Sequence, residues 1–399
     1  MKTKLPKTVH KVLIILSLSF TLFTFEIKNN FIFRYKVKNI SLEKELINIQ
    51  EYMDDVFNSV SLDNDKKFYP TQNPKISVII SVFNGEGFLK TSLLSIQNQD
   101  FKDIEIIMVD DCSVDNSINL IKELMLKEPR IVLYQNSETR GALFTKTKGV
   151  LLAKGKYILI LDEDDIYVQR DAFSTLYYES ENYNLDLLNY RYIFSKRQLK
   201  YINFTKKEYP IIYQPELSEK VFKHNPNGKI EVFGGVLHNY FIKKNLFIKI
   251  IKQIDEKYFK IKMNQHDDLL LVFLLTRNAY NYKKIDRIFH IYYIGWDLKD
   301  NNVKYNKKEK EKIYPYIRCS SVLNFIEFIL ENTENNFNDK KIAFFSMNKW
   351  FLSYFCRNFT PTREQAINIS KLYINNKYIQ EEDKKQIRIF LNESMLKLL

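Results

Sequence analysis

Cysteine, histidine, glycine and proline are scarce in this chain, at three, five, nine and nine among 399 residues. The three widely spaced cysteines (Cys112, Cys319, Cys356) close at most one disulfide and show neither a CxxC pair nor a Cys/His zinc spacing. That excludes a disulfide-stapled mini-protein and leaves structural zinc without a signature. So little glycine and proline excludes collagen-like repeats and long low-complexity linkers. Hydrophobic residues at 45%, with aromatics at 15%, suffice for a sizeable core. The length points to one large domain with appendages, or to two domains.

Acids are the minority charge, 48 Asp and Glu against 61 Lys and Arg, for a net charge of +13. Such a balance suits anionic partners: nucleotide phosphates, acidic headgroups or nucleic acid. The lysines are dispersed over the whole chain, however. A nucleic-acid binder would gather them on one face with aromatics interleaved, so no nucleic-acid partner is expected.

One uncharged, mostly apolar run stands out, residues 12–25 (VLIILSLSFTLFTF), preceded by Lys2, Lys4, Lys7 and Lys11. As a helix it reaches only about 21 Å against a hydrocarbon core of about 30 Å. A thin membrane and snorkelling by Lys11 and Lys28 narrow that gap. The bulky exit Phe23, Thr24, Phe25, Glu26, Ile27 lacks the small residues of a cleavage site. The expectation is an uncleaved signal anchor over residues 1–27, ahead of a cleaved peptide or a buried helix. Positive charge before the span puts the N-terminus in the cytoplasm. The chain is then a single-pass membrane protein with a lumenal catalytic domain, of Golgi or ER type in a eukaryotic cell. Sequons at Asn39, Asn203, Asn358, Asn368 and Asn392 suit that side.

Residues 28–74 read as a stem helix and linker. Leu42, Leu46, Ile49, Met53, Val56 and Val60 recur at steps of four and three, one helical face. That seam either pairs two chains as a homodimer or packs a helix on the following domain. Residues 61–74 (SLDNDKKFYPTQNP) are polar with two prolines and form the linker.

From Lys75 the pattern changes to short apolar runs separated by stretches of helical period. Residues 76–83 (ISVIISVF), 104–109 (IEIIMV), 131–134 (IVLY) and 157–161 (YILIL) read as buried strands. This α/β alternation predicts a parallel sheet with right-handed crossovers, flanked by helices and binding ligands at its carboxyl edge. Asp110 and Asp111 end the second run, and Asp162, Glu163, Asp164 and Asp165 end the fourth. Acids gathered on one rim repel unless a cation binds, and a hard divalent ion, Mg2+ or Mn2+, is the usual partner. The plain alternative for an isolated Asp such as Asp115 or Asp171 is helix capping.

Three segments in this order, SVIISVFNGEGFLKTSLLSIQNQ, IEIIMVDDCSVDNS and GKYILILDEDDIY, resemble the glycosyltransferase family 2 proteins with their nucleotide-sugar-binding GT-A fold. The resemblance implies a Rossmann-like domain over residues 75–300. Ser81, Phe83 and Asn84 would line the nucleotide pocket, with Phe83 against the base, Asp111 accepting a hydrogen bond from it and Asp110 supporting the turn. Asp162 and Asp164 form the DxD, Asp164 being the direct ligand of a metal that bridges the donor phosphates. Lys146 stands where the family usually has the Arg of an Arg-Asn pair, keeping the charge and losing the planar fork. A surface lysine on a Lys-rich helix is the alternative. Cys112 replaces the family's Gly, as a packed residue. Asp268, with Asp267 second, falls where the family carries its acidic pair, and implies the base that deprotonates the acceptor; helix capping is the alternative.

Upstream, GGVLHNYFIKKN resembles the acceptor side, where His238 either touches the acceptor or lies on the surface. His266 reads as a polar rim residue. YKKIDRIFHIYYI resembles the last strand, with His290 either at a metal or as a satisfied core residue. Residues 301–399 read as a helical region with no assigned chemistry. The resemblance implies a metal-dependent, inverting transfer from a nucleotide sugar, a UDP-sugar above all, to a carbohydrate, lipid or protein hydroxyl. The alternative is a non-catalytic nucleotide-sugar or carbohydrate-binding protein of the same fold. A dehydrogenase is excluded, since Gly85-x-Gly87 lacks the third glycine of the dinucleotide fingerprint.

Overall fold

The computed structural model describes residues 68–193, 208–220, 236–260 and 267–292, with positions 47, 49, 51–53, 56, 381 and 385. The apolar runs become strands: β1 Ile76–Val82, β2 Ile104–Asp110, β3 Ile131–Gln135 and β4 Tyr157–Asp162. All of β1 and β2 is buried, as β-branched runs covered on both faces must be. Between them lie α1 Leu89–Gln97, α2 Ser117–Lys127 and α3 Ala142–Leu152. The chain continues through β5 Ile166–Tyr167, α4 Ala172–Tyr183, β6 Leu187–Ile193, β7 Ile212–Tyr213 and α5 Glu216–Lys220. A 3-10 turn at Leu237–Asn239 leads into β8 Tyr240–Lys243, followed by α6 Lys244–Ile251, α7 Glu256–Lys260, α8 Asp267–Asn278 and β9 Asn281–Ile291.

The strands join in one sheet of order β3-β2-β1-β4-β8-β6-β9-β5, with β7 on β9. The long ladders, β1 with β2 and β4, β2 with β3, and β6 with β9, are parallel. The antiparallel ladders of β4–β8, β5–β9, β6–β8 and β7–β9 run for only two or three residues. The chain moves outward from β1 through β2 to β3, then returns to the other side of β1 as β4. The strand order therefore reverses between β1 and β4, and the crevice beyond their carboxyl ends is where such sheets bind ligands.

Two hydrophobic layers cover the sheet. One packs α3, α6 and α8 on it through Val150, Leu143, Phe247, Leu270 and Leu271. The other packs α1, α2 and α4 through Leu93, Ile121 and Phe173. Helix α3 lies especially close to β1, because a Cβ at Gly149 would stand 2.3 Å from Ile79 Cγ2.

The stem seam is seen at three of its positions. Ile49, Met53 and Val56 are buried with Phe88, Leu94, Ile166 and Ile288 of the same chain, and the Tyr52 hydroxyl donates to the Ser95 carbonyl at 2.7 Å. Of the two readings of this face, these positions display the helix packed on its own domain. Leu42, Leu46 and Val60, residues 12–25, and all of the C-terminal region but Glu381 and Lys385 lie outside the described residues. Among the described residues no helix is long and apolar enough to cross a membrane.

Candidate active site

The crevice between the ends of β1 and β4 is built from residues far apart in sequence. Ser81, near the end of β1, donates from Oγ to Asp162 Oδ1 at the end of β4, 2.8 Å away. The β1 turn then bends through Asn84 at φ 56°, a left-handed conformation that Asn tolerates better than most residues. Its N–H donates to Ser113 Oγ at 2.9 Å and its Oδ1 accepts from the Val114 N–H at 2.9 Å, stitching the β1 and β2 turns together. Phe83, beside it and just past the end of β1, leaves 48% of its surface exposed.

Both acids of the β2 turn are buried, with different duties. Asp111 accepts from Asn136 Nδ2 (2.8 Å), the Arg140 N–H (2.7 Å) and the Gly141 N–H (2.8 Å). It thereby holds the loop that starts α3, whose first residue follows Gly141 at φ 88°. Asp110 accepts from the Ser113 N–H through Oδ2, while Oδ1 has no partner among the described residues. The spare acceptor on this turn is thus Asp110. Cys112 between its neighbours sits at φ 65°, a conformation that costs glycine nothing and a side chain about 1–2 kcal/mol.

Helix α3 points Lys146 under the rim. The surface reading of this residue is overturned: its side chain is only 4% exposed. The ammonium lies 3.3 Å from Asp162 Oδ1, 3.0 Å from Asp267 Oδ2 and 2.9 Å from Asp268 Oδ1. Burial alone would lower its pKa, yet the three carboxylates raise it well above the ordinary lysine value. Burial would likewise push Asp162 up, and Lys146, His238 and Ser81 instead hold it below the usual range. Asp267 goes the other way. Its burial, with Asp268 and Asp162 adding, outweighs Lys146 and raises it to about 7. Asp267 is 6% exposed at its side chain and Asp268 16%, so Asp268 is the member of the pair that faces the crevice.

Residues that sequence reasoning left at the edge also converge here. His238, read as surface or acceptor-facing, is buried, with Nδ1 at 3.8 Å from Asp268 Oδ2 and 3.9 Å from Asp162 Oδ2. His290 on β9 is buried and meets Asp165 Oδ2 through Nε2 at 3.1 Å, but its Nδ1 has no partner among the described residues, so it is not a satisfied core histidine. Asn136 and Tyr190, whose hydroxyl donates to the His238 carbonyl at 2.5 Å, carried no motif. Only their place behind a strand end gives them a role. Asp171, a capping candidate, makes no side-chain cap and pairs instead with Arg287 at 2.8 Å. Asp115 accepts from the Ser117 N–H at 3.0 Å at the start of α2. His266, Gly234 and Gly235 lie outside the described residues.

The donor set fits a hard divalent ion. A single ammonium faces three carboxylates, with half-buried Asp164 beside them on the same rim. Among the described residues acids outnumber the cation on this rim, and a bound cation would offset their repulsion of a diphosphate. Asp162 commits Oδ1 to Ser81 and Lys146, and Oδ2 makes no hydrogen bond among the described residues. A buried Asp/His group, Asp165 with His238 and His290, is a further set of donors that can hold a metal.

Residues 77–251 match the profile of Glycosyl transferase family 2. Over 223 residues the chain is 29% identical to the GalNAc(5)-diNAcBac-PP-undecaprenol beta-1,3-glucosyltransferase of Campylobacter jejuni, covering 55% of this chain and 65% of that one. Over 116 residues it is 31% identical to the Escherichia coli UDP-Glc:alpha-D-GlcNAc-diphosphoundecaprenol beta-1,3-glucosyltransferase WfaP, 29% of this chain and 45% of that one. The matches thus span less than two thirds of these relatives' own length. In structure, the chain resembles S. aureus TarS 1–349 in complex with UDP-GlcNAc, with a TM-score of 0.54 and 16% identity over 81% of this chain and 88% of that one. The likeness is one of fold, α/β and GT-A-like.

Proposed function

Because the chain belongs to glycosyl transferase family 2 through residues 77–251, we propose that it is a metal-dependent, inverting glycosyltransferase that moves a hexosyl or N-acetylhexosaminyl group from a UDP-sugar to an acceptor hydroxyl. One observation carries the reading: Lys146 ties the first acid of the DxD to both members of the acidic pair, joining donor-side and acceptor-side chemistry at one ammonium. Phe83 offers the base an exposed ring. Asp162 and Asp164 hold Mn2+ or Mg2+, which when bound neutralises charge on the diphosphate leaving group. Asp268 takes the proton of the acceptor hydroxyl as that oxygen attacks the anomeric carbon from the face opposite the diphosphate. Lys146 holds Asp268 in place by donating to its Oδ1 at 2.9 Å, and Asp267, deeper in the crevice, holds the ammonium from the other side.

The names of the relatives support the finer choices. One names UDP-Glc, both name undecaprenol-linked acceptors and both name β-linked products. Inversion of an α-linked donor yields such products. We therefore favour a polyprenyl-diphosphate-linked saccharide as acceptor, and a membrane anchor at residues 12–25 would bring the crevice to it.

A nucleotide-release assay with a panel of UDP-sugars, with and without Mn2+, tests the reading. Manganese-dependent UDP release is expected from wild type and not from Asp268→Asn, which should still bind UDP. A folded wild type that releases UDP from no donor, with or without a lipid-linked acceptor, would count for the non-catalytic alternative.

A further inference from the structure

Behind the rim lies a group that the transfer reaction does not use. Asp165, His238 and His290 come from the β4–β5 turn, the 3-10 turn before β8, and β9, and all three are buried. Their donor atoms lie within 4.8 Å of one another. His290 Nε2 is 3.1 Å and His238 Nδ1 4.0 Å from the same oxygen, Asp165 Oδ2. Yet neither ring nitrogen of His238, nor Nδ1 of His290, has a hydrogen-bond partner among the described residues. An unsatisfied buried polar group costs about 1–3 kcal/mol, and one of these nitrogens, His238 Nδ1, stands over the same carboxylate oxygen that His290 Nε2 meets, a place suited to a bound cation.

We propose that Asp165, His238 and His290 form a second metal site, a buried two-histidine, one-carboxylate centre for a transition dication of the zinc class, distinct from the hard ion at Asp162 and Asp164. Ligand type decides the class. Imidazole nitrogens suit zinc and its neighbours, whereas magnesium and calcium take oxygen donors. Protonation agrees, since metal ligation requires neutral imidazole. Burial pushes His290 down to about 3, and burial with the neighbouring His290 lowers His238 against the pull of the acids. Spacing agrees as well. Donors at about 2.1 Å from a tetrahedral ion stand roughly 3.4 Å apart, so the ion needs the longer edges to close by about 1 Å or less on average. His238 stacks on Tyr292, with ring centroids 4.8 Å apart and planes at 13°, which fixes the ring plane toward the carboxylate.

Such an ion would clamp the turn carrying Asp164 to β9 and to His238, whose Nδ1 also faces Asp268 Oδ2 at 3.8 Å. Its role is positional: it sets the distance between the metal rim and the acceptor-side acid without touching substrate.

The test uses the full chain, stripped with chelator and titrated with cobalt(II) as a visible probe. Uptake of about one equivalent per chain is expected, with the intense visible bands of a four-coordinate site, displaced by zinc and not by magnesium. His238→Gln and His290→Gln should each weaken uptake about 10-fold or more. Asp164→Ala should leave the bands in place. Absence of cobalt uptake by wild type, displacement by magnesium, loss of the bands in Asp164→Ala, or their full retention in both histidine variants overturns the proposal. Should the histidine variants fail to fold by circular dichroism, proton NMR of cobalt-loaded wild type decides: shifted, exchangeable imidazole N–H signals support the site and their absence sinks it. Sugar transfer enters none of these readouts, so failure here is separable from failure of the proposed activity.

Discussion

Lys146 has three N–H donors and three carboxylates around it, at 3.3, 3.0 and 2.9 Å. Removing it leaves buried like charges facing one another. Lys146→Met should therefore lower stability by about 3 kcal/mol, the lower end for breaking a buried pair because Asp162 and Asp268 retain some solvent, and should abolish UDP release. Denaturant midpoints and the release assay measure both. Asp267 adds a pH signature. Its folded-state pKa is raised from 3.8 to about 7, so the folded state binds the extra proton and this group's stabilisation fades as pH rises from about 4 to about 7. Asp267→Asn should flatten that slope, read as urea midpoints at pH 5 and pH 8; an unchanged slope would mean that Asp267 does not titrate in this window. At this scale the residue types were legible in sequence and their burial was not. A lysine in TKTKG and a histidine in VLHNY look like surface, and only packing against α8 and β9 makes them interior.

The parallel elements were legible because their signal is local. Runs of Ile, Val and Leu bounded by charged or Asn-containing turns have one solution, a strand covered on both faces, and β1 to β4 begin where the apolar runs do. The two-residue strands β5 and β7 and the four-residue β8 were not legible, since so short a segment has no period of its own and takes strand geometry from its partner. Helix α3 owes its position to Gly149, where an added Cβ would meet Ile79 Cγ2 at 2.3 Å. Gly149→Ala should thus cost about 1–3 kcal/mol by overpacking, in spite of alanine's better helix propensity. Because α3 carries Lys146, nucleotide release should slow as well. A thermal melt equal to wild type would show that β1 yields to the methyl group.

For the whole molecule, the order 3-2-1-4 places the ends of β1 and β4 side by side, and ligand and fold stability are coupled there. UDP with Mn2+ at about 100 times its Kd should raise stability by about 2.7 kcal/mol, seen as an upward shift in Tm, and Asp164→Ala should abolish most of that shift. The full chain should sediment with membranes and resist carbonate washing, a property lost when residues 1–27 are removed, if the apolar run anchors it. The parallel strands, the rim acids and the family were already contained in the linear chain, since each rests on neighbours within a few residues of one another. The meeting of Lys146 with Asp268, and of Asp165 with His238 and His290, was decided only by tertiary structure. These pairs lie 122 and 125 positions apart in the case of Lys146 with Asp268 and Asp165 with His290, and no local period encodes a contact across that distance. Packing of α3, α8 and β9 on one sheet brings them together, and with them the electrostatics that the isolated motifs lack.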